Sequence, residues 1–281
     1  MKKTYIVLLL CLCIVASSGQ SLRERLKNGG QYNVALISAH RGGFYDSLPE
    51  NSIAAIDYTI SHSIDLGMVE FDLRMTKDGT LFLMHDELVD RTTSGHGRIS
   101  ELSDAYVKSL FLKNSLGHLT SERIPTWEAF LTYASAKSVL LMLDVKVDIW
   151  KEAIGGLRDH HLVERSIVLT FKPADARRVH ELSPEIYISC LVTNERQWEA
   201  IQRLSIPHDK LIAYVNDKVS NDLTLKLKNL HIPMMMDVSE HTNHSGQLLE
   251  GESYRSLLVR LRSGILITDF PAAVSLESAP H

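Results

Sequence analysis

Short apolar, β-branched runs alternate with stretches whose apolar residues recur at helical spacing, and they do so along most of the chain. The strand-like runs are Val34–Ala39, Met68–Met75, Thr80–Met84, Val139–Val145, Ser166–Thr170, Ile186–Val192, Leu211–Val215, Ile232–Met236 and Gly264–Thr268. Helical periodicity covers 52–63, 149–161, 174–182, 195–204, 221–229 and 254–262. Strand and helix in repeated order predict parallel strands joined by crossover helices. Two α/β architectures fit this order, a closed TIM (β/α)8 barrel and an open doubly wound sheet. The alternation persists to the C-terminal region, and no Gly-rich dinucleotide turn follows the first run, so the barrel is preferred. Nine runs compete for eight staves. One must be peripheral, and Leu211–Val215 is the run singled out. The polar stretch from Leu88 to Pro125, with Gly95, Gly97 and Gly117, breaks the alternation and reads as an excursion inserted after a strand.

The first twenty residues follow a different pattern. Lys2 and Lys3 precede an almost wholly apolar run from Tyr5 to Ala16, and Ser17-Ser18-Gly19 supplies small residues suited to cleavage. A bilayer span needs roughly 20 apolar residues, so this segment predicts a cleaved secretory signal over 1–20 rather than a stable membrane anchor. The remainder, 21–281, reads as one domain, since α/β barrels commonly use about 250 residues. Cleavage would remove Cys11 and Cys13 and leave Cys190 with no intrachain disulfide partner. Removing two lysines and no acids moves the formal charge from −4 to −6, a balance that argues against nucleic acid as the partner.

Candidate chemistry sits at the predicted C-terminal ends of strands, where barrel enzymes place their active sites. Glu70 and Asp72 are two apart on one strand and share a face, as do Asp144 and Lys146 on another. Buried carboxylates side by side need a cation. Arg74 or another base would serve, or a metal ion. Three carboxylates from two strands, Glu70, Asp72 and Asp144, make a hard oxygen site suited to one divalent cation, Mg2+ or Ca2+, rather than zinc. His40 and His85 end two different strands, and a histidine pair suits acid and base work near neutral pH. Arg41 offers a fork for phosphate oxygens and Lys146 a point charge.

Several of these residues recur in an ordered set: Ala39-His-Arg-Gly42, Pro49-Glu-Asn-Ser52, Glu70-Phe-Asp72, His85-Asp86, Arg91-Thr-Thr93, Ile124-Pro-Thr126, Asp144-Val-Lys146 and Ile267-Thr-Asp-Phe-Pro271. The set resembles the glycerophosphodiester phosphodiesterase family over about residues 34–271. The resemblance implies a TIM barrel with a small inserted subdomain over 87–125, after the third strand. It implies Glu70, Asp72 and Asp144 as metal ligands and His40 and His85 as acid and base. Arg41, Lys146 and Glu50 would meet the substrate. The implied reaction cleaves a small-molecule glycerophosphodiester, such as glycerophosphocholine, to glycerol 3-phosphate and an alcohol. A related phosphodiester substrate, or a barrel that binds phosphorylated ligands without turnover, are the competing readings. Asp144 stands where the family usually has Glu. Met234-Met-Met-Asp237 stands where it usually has Trp-Thr-Val-Asn, which predicts thioethers in place of an aromatic pocket wall.

Remaining features carry less. The loop 239–253, with His241 and His244, is expected to overhang the barrel mouth as a substrate-contacting lid. Trp127, Trp150 and Trp198 are expected on the barrel exterior. Asp269 fits a plain turn as well as a part in shaping the mouth.

Overall fold

The computed structural model describes residues 22, 25–26, 35–62, 66–239, 253–261 and 264–278; the expected signal segment and the histidines of loop 239–253 lie outside them. In chain order the elements are β1 (Leu36–Ala39), α1 (Ile53–His62), β2 (Leu66–Met75), β3 (Leu81–Leu83), α2 (Asp104–Ser109), β4 (Phe111–Lys113), β5 (Leu119–Arg123), α3 (Trp127–Ser135) and β6 (Leu140–Val145). There follow α4 (Trp150–Asp159), β7 (Ser166–Thr170), α5 (Pro173–Leu182), β8 (Tyr187–Leu191), α6 (Glu195–Gln202) and β9 (Leu211–Tyr214). The described chain ends with α7 (Asn221–Asn229), β10 (Met234–Asp237), α8 (Tyr254–Arg260), β11 (Ile265–Thr268) and α9 (Pro271–Ser278). Side-chain oxygens of Ser103, Thr126, Asn194, Ser220 and Ser253 accept first-turn N–H groups of α2, α3, α6, α7 and α8, which fixes where those helices begin.

Eight parallel strands, β1, β2, β6, β7, β8, β9, β10 and β11, pair in that order, and β1 pairs with both β11 and β2. The ring is closed, which makes the fold a TIM barrel. The peripheral strand is not the one anticipated. Leu211–Tyr214 is a full stave, parallel to both β8 and β10. The extra strand is β3, which runs antiparallel to the far end of β2. Its tight turn explains the correction: the Thr76 N–H bonds the Thr80 carbonyl, and Gly79 takes φ +91°. A turn that short joins only antiparallel neighbours. The excursion therefore leaves from this hairpin, between the second and third staves. It carries α2 and the β4–β5 pair around a separate small core containing Val89, Ile99, Val107 and Leu112.

Strand alternation divides the core. Ile37, Val69, Phe71, Leu141, Leu143, Val168 and Ile188 face outward under the helices, together with Trp127, Trp150 and Trp198 as expected. Leu36, Met68, Leu140, Met142, Ile167, Leu169, Ile212, Met235, Ile265 and Ile267 fill the interior, and Leu22 and Leu26 are buried with them. Cys190 belongs to the outer layer, and burial pushes its thiol up to about 12. A thiol held protonated is a poor nucleophile. Cys190 of the folded protein therefore resists iodoacetamide at pH 8 and is alkylated readily in guanidinium, as read by peptide mass spectrometry. Rapid labelling of the native thiol would contradict this packing.

Candidate active site

The inner face changes character over one strand length. Continuing the inward parity of β1, β2 and β6 past their hydrocarbon layer reaches His40, then Glu70 and Asp72, then Asp144 and Lys146. Asp72 and Asp144 are direct register partners across the β2–β6 pair. One oxygen from each of Glu70, Asp72 and Asp144 lies within 4.8 Å of the other two.

These acids differ in how their charge is met. Lys146 Nζ donates to Asp144 Oδ2 at 2.5 Å and lies 2.9 Å from Asp72 Oδ1. Asn51, in the left-handed region at φ 55°, donates from Nδ2 to Asp72 Oδ2 (2.8 Å) and accepts the Asp72 N–H (3.1 Å). Burial alone would raise the Asp72 carboxyl, but Lys146, Arg41, His85 and Asn51 hold it below its usual range. For Asp144, burial outweighs Lys146 and the group is raised. Glu70 accepts a backbone N–H from Arg41 at 2.8 Å. Burial, with Asp72 and Asp144 nearby, pushes it up to about 8, against the opposing pull of His40. A buried acid cluster that leaves Glu70 the least compensated member fits a divalent cation held by oxygen ligands.

Sharp backbone turns deliver the other groups. His40, Arg41 and Gly42 form one tight turn directly after β1, with Arg41 at φ 49° and Gly42 at φ 86°. A Cβ on Gly42 would come within 2.7 Å of Ile56 in α1, so a glycine is needed there. The turn aims the Arg41 N–H at Glu70 and sends its side chain across to Glu50, where Nη1 donates to Oε1 at 3.1 Å. His40 Nδ1–H donates to Asp269 Oδ1, just past β11, at 2.7 Å. Burial opposes charge on this imidazole; the bond to Asp269 and the charges of Glu70, Asp237 and Asp269 prevail and raise it to about 9.

His85 arrives by the hairpin rather than at the end of a stave. As β3 doubles back along β2, the Met84 N–H donates to the Asp72 carbonyl, and Arg74 Nε donates to the His85 carbonyl. His85 Nδ1–H donates to Asp86 Oδ1 at 2.7 Å. Asp86 is in turn gripped by Arg91, through Nε to Oδ2 (2.6 Å) and Nη2 to Oδ1 (3.0 Å). The same guanidinium donates to both oxygens of Glu50, at 2.7 and 2.8 Å. Each imidazole thus has Nδ1 committed to a carboxylate, which leaves Nε2 as the working nitrogen. His40 directly precedes Arg41, whose N–H reaches Glu70, and His85 directly follows Met84, whose N–H reaches the Asp72 carbonyl, so both residues stand beside the acid cluster.

Of the residues singled out in the sequence, Arg41, Glu50, Glu70, Asp72, His85, Asp144 and Lys146 are joined through hydrogen bonds and ion pairs in one network that includes Asp86 and Arg91, and His40 stands next to it on its own carboxylate, Asp269. Glu50 engages it by fixing Arg41 and Arg91. Asn51, Asp86 and Arg91 stand in the sequence only as members of the ordered motifs, and Asp269 as a turn or a shaper of the mouth; their orienting roles emerge from the structure. The expectation of a thioether wall is corrected. Met234 and Met236 pack outward and Met235 lies deeper in the interior, because alternate residues of β10 face apart. Asp237 is the β10 residue that reaches the mouth, where Tyr214 supplies an aromatic ring from the adjacent β9 and Phe171 another from just past β7.

Comparison with known proteins gives a consistent picture. Residues 40–251 match the model of the glycerophosphoryl diester phosphodiesterase family. A glycerophosphodiester phosphodiesterase from Caldanaerobacter subterraneus is 32% identical over 165 residues, 56% of this chain and 66% of that protein. Mouse glycerophosphodiester phosphodiesterase 1 is 35% identical over 145 residues, 48% of this chain and 42% of that protein. The matched region thus spans less than two thirds of the length of these relatives. A crystal structure of a glycerophosphoryl diester phosphodiesterase from Parabacteroides distasonis superimposes with a TM-score of 0.76 at 25% identity, covering 92% of this chain and 91% of that one. An Oleispira antarctica phosphodiesterase, solved in complex with the product sn-glycerol-3-phosphate, superimposes with a TM-score of 0.64 at 18% identity over 87% of this chain and 97% of that one.

Proposed function

The chain belongs to the glycerophosphoryl diester phosphodiesterase family, and from that we propose that it hydrolyses glycerophosphodiesters to glycerol 3-phosphate and an alcohol. One observation carries the reading: two imidazoles, each oriented through Nδ1 by its own carboxylate, flank a buried acid cluster at one end of a closed barrel. Glu70, Asp72 and Asp144 hold a divalent cation, Mg2+ or Ca2+, which when bound supplies positive charge against the developing charge on the phosphoryl oxygens.

The protein's own groups account for the rest. Arg41 and Lys146 bind non-bridging phosphate oxygens, and Glu50 keeps the Arg41 fork in place. One imidazole Nε2 takes the proton from the attacking hydroxyl. The other gives a proton to the departing alcohol oxygen as its bond to phosphorus breaks. A neighbouring glycerol hydroxyl attacking first would give a cyclic phosphate; water, deprotonated in turn, then opens it. Asp269 and Asp86 fix the ring orientations through both steps, so neither histidine has to be ordered at the moment of reaction.

The basic and apolar pattern of residues 1–20 supports export, with the enzyme working in the periplasm or secreted. Residues 87–125 serve as a small subdomain that presents Arg91 to the site. The test is direct. Glycerophosphocholine incubated with the protein and Mg2+ or Ca2+ yields glycerol 3-phosphate, chelation stops the release, and added cation restores it. No release with Mg2+, Ca2+ or Mn2+ removes this reading.

A further inference from the structure

The reacting groups hang from β1, β2 and β6 and from the β3 hairpin. The wall opposite, formed by the ends of β7 to β10, is left for the part of the substrate that does not react. Phe171 follows β7 at inward parity after Ile167 and Leu169, and 48% of it is exposed. Tyr214 closes β9, with its ring centroid 5.9 Å from that of Phe171 at 74°, an edge-to-face pair. The Tyr214 hydroxyl donates to Asp237 Oδ2 at 3.4 Å, and the Ser239 N–H donates to Asp237 Oδ1 at 2.8 Å. Among the described residues, both partners of Asp237 are neutral donors. Tyr214 packs against the barrel interior at the inward parity of Ile212, and burial together with the charges of Asp237, Glu70 and Asp144 raises its phenol.

An exposed aromatic face beside a carboxylate that makes no ion pair among the described residues, its charge reaching His40 only at longer range, is a poor surface for an uncharged polyol and a repulsive one for an anion. It suits a group that is positive and lacks strong hydrogen-bond demands. An alkylammonium gains from the ring quadrupole of Phe171 and from the charge of Asp237 together. We propose that Phe171, Tyr214 and Asp237 are specificity-determining residues that select diesters with a positively charged amino-alcohol head group. The inference rests on the phosphodiesterase reading and adds to it the class of alcohol released.

The test is the ratio of kcat/KM for a cationic diester to that for a neutral one of similar size, glycerophosphocholine against glycerophosphoglycerol. Wild-type protein favours the choline ester by about tenfold or more. Asp237→Asn and Phe171→Ala each pull the ratio down by about tenfold, whatever they do to turnover as a whole. Glycerophosphoethanolamine separates the two contributions, because a primary ammonium depends on Asp237 and a quaternary one also on Phe171. A wild-type ratio near one, or variants that slow both esters alike, overturns the proposal. If no ester is cut, the functional reading has failed, and calorimetric titration with choline chloride decides the head-group inference separately. Binding by wild type that is lost in both variants upholds it. Equal binding by all three proteins, or none by wild type, ends it.

Discussion

His40→Ala and His85→Ala each lower kcat by at least about a hundredfold, the usual scale for removing an acid or base. Their thermal midpoints change little, because neither ring is part of the hydrocarbon core. The magnitude follows from what each imidazole does. Without the base, the attacking hydroxyl keeps its proton; without the acid, the alcohol departs as an unprotonated alkoxide. Removing the orienting carboxylate has a gentler effect. Asp86→Asn and Asp269→Asn leave an imidazole in place but free to turn or to take the wrong tautomer, so turnover falls by less than in the alanine variants. Steady-state kinetics on glycerophosphocholine reads both effects, and wild-type-like turnover in either alanine variant withdraws the role given to that histidine.

The second large effect concerns the cation. Glu70→Gln removes the charge for which the site has the least internal compensation, since Lys146 lies between Asp72 and Asp144 while Glu70 receives a backbone N–H. The glutamine variant loses most of its calorimetric affinity for Mg2+ and Ca2+, and its turnover falls with the occupancy of the site. A stability readout accompanies this. In wild-type protein a cation at a hundred times its Kd adds about 2.7 kcal/mol to the folded state, and the glutamine variant forfeits that increment. Asp144→Ala weakens binding too. Asp144→Glu, which restores the longer side chain usual in the family, keeps or tightens it. Unchanged affinity in Glu70→Gln would take that residue out of the metal shell.

Most of this architecture is visible in the primary structure, because two periodicities carry it. A period of two marks the strands, and the same period places His40, Glu70, Asp72, Asp144 and Lys146 on one face of the ring. What alternation cannot show is partnership. Thr80–Met84 is as apolar as the staves, and only its three-residue link, Lys77-Asp78-Gly79, separates a hairpin strand from a crossover strand. The run Leu211–Val215 was set aside for no better reason than the count. The site's supports were hidden for a related cause. Asp86 adjoins His85 in sequence, so its bond was there to be suspected. Asp269 lies 229 positions from His40, and only ring closure between β1 and β11 brings them together. Asn51 reaches Asp72 because it tolerates a left-handed backbone at the entrance to α1. Met234–Met236 mislead because the resemblance puts thioethers where the family has an aromatic pocket wall, whereas the inward residue Met235 lies in the deeper hydrocarbon layer and Asp237 is the one at the mouth.

The partition of the rim has an evolutionary corollary. The two imidazoles, Arg41, Lys146 and the acid cluster come from residues 40–146, whereas Phe171, Tyr214 and Asp237 come from later repeats of the strand–helix unit. Exchanging the rim loops after β7 and β9 between relatives is expected to change which diester is accepted, while His40 and His85 keep their orienting carboxylates. Such chimeras would trade one diet for another with half of the opening left as it was.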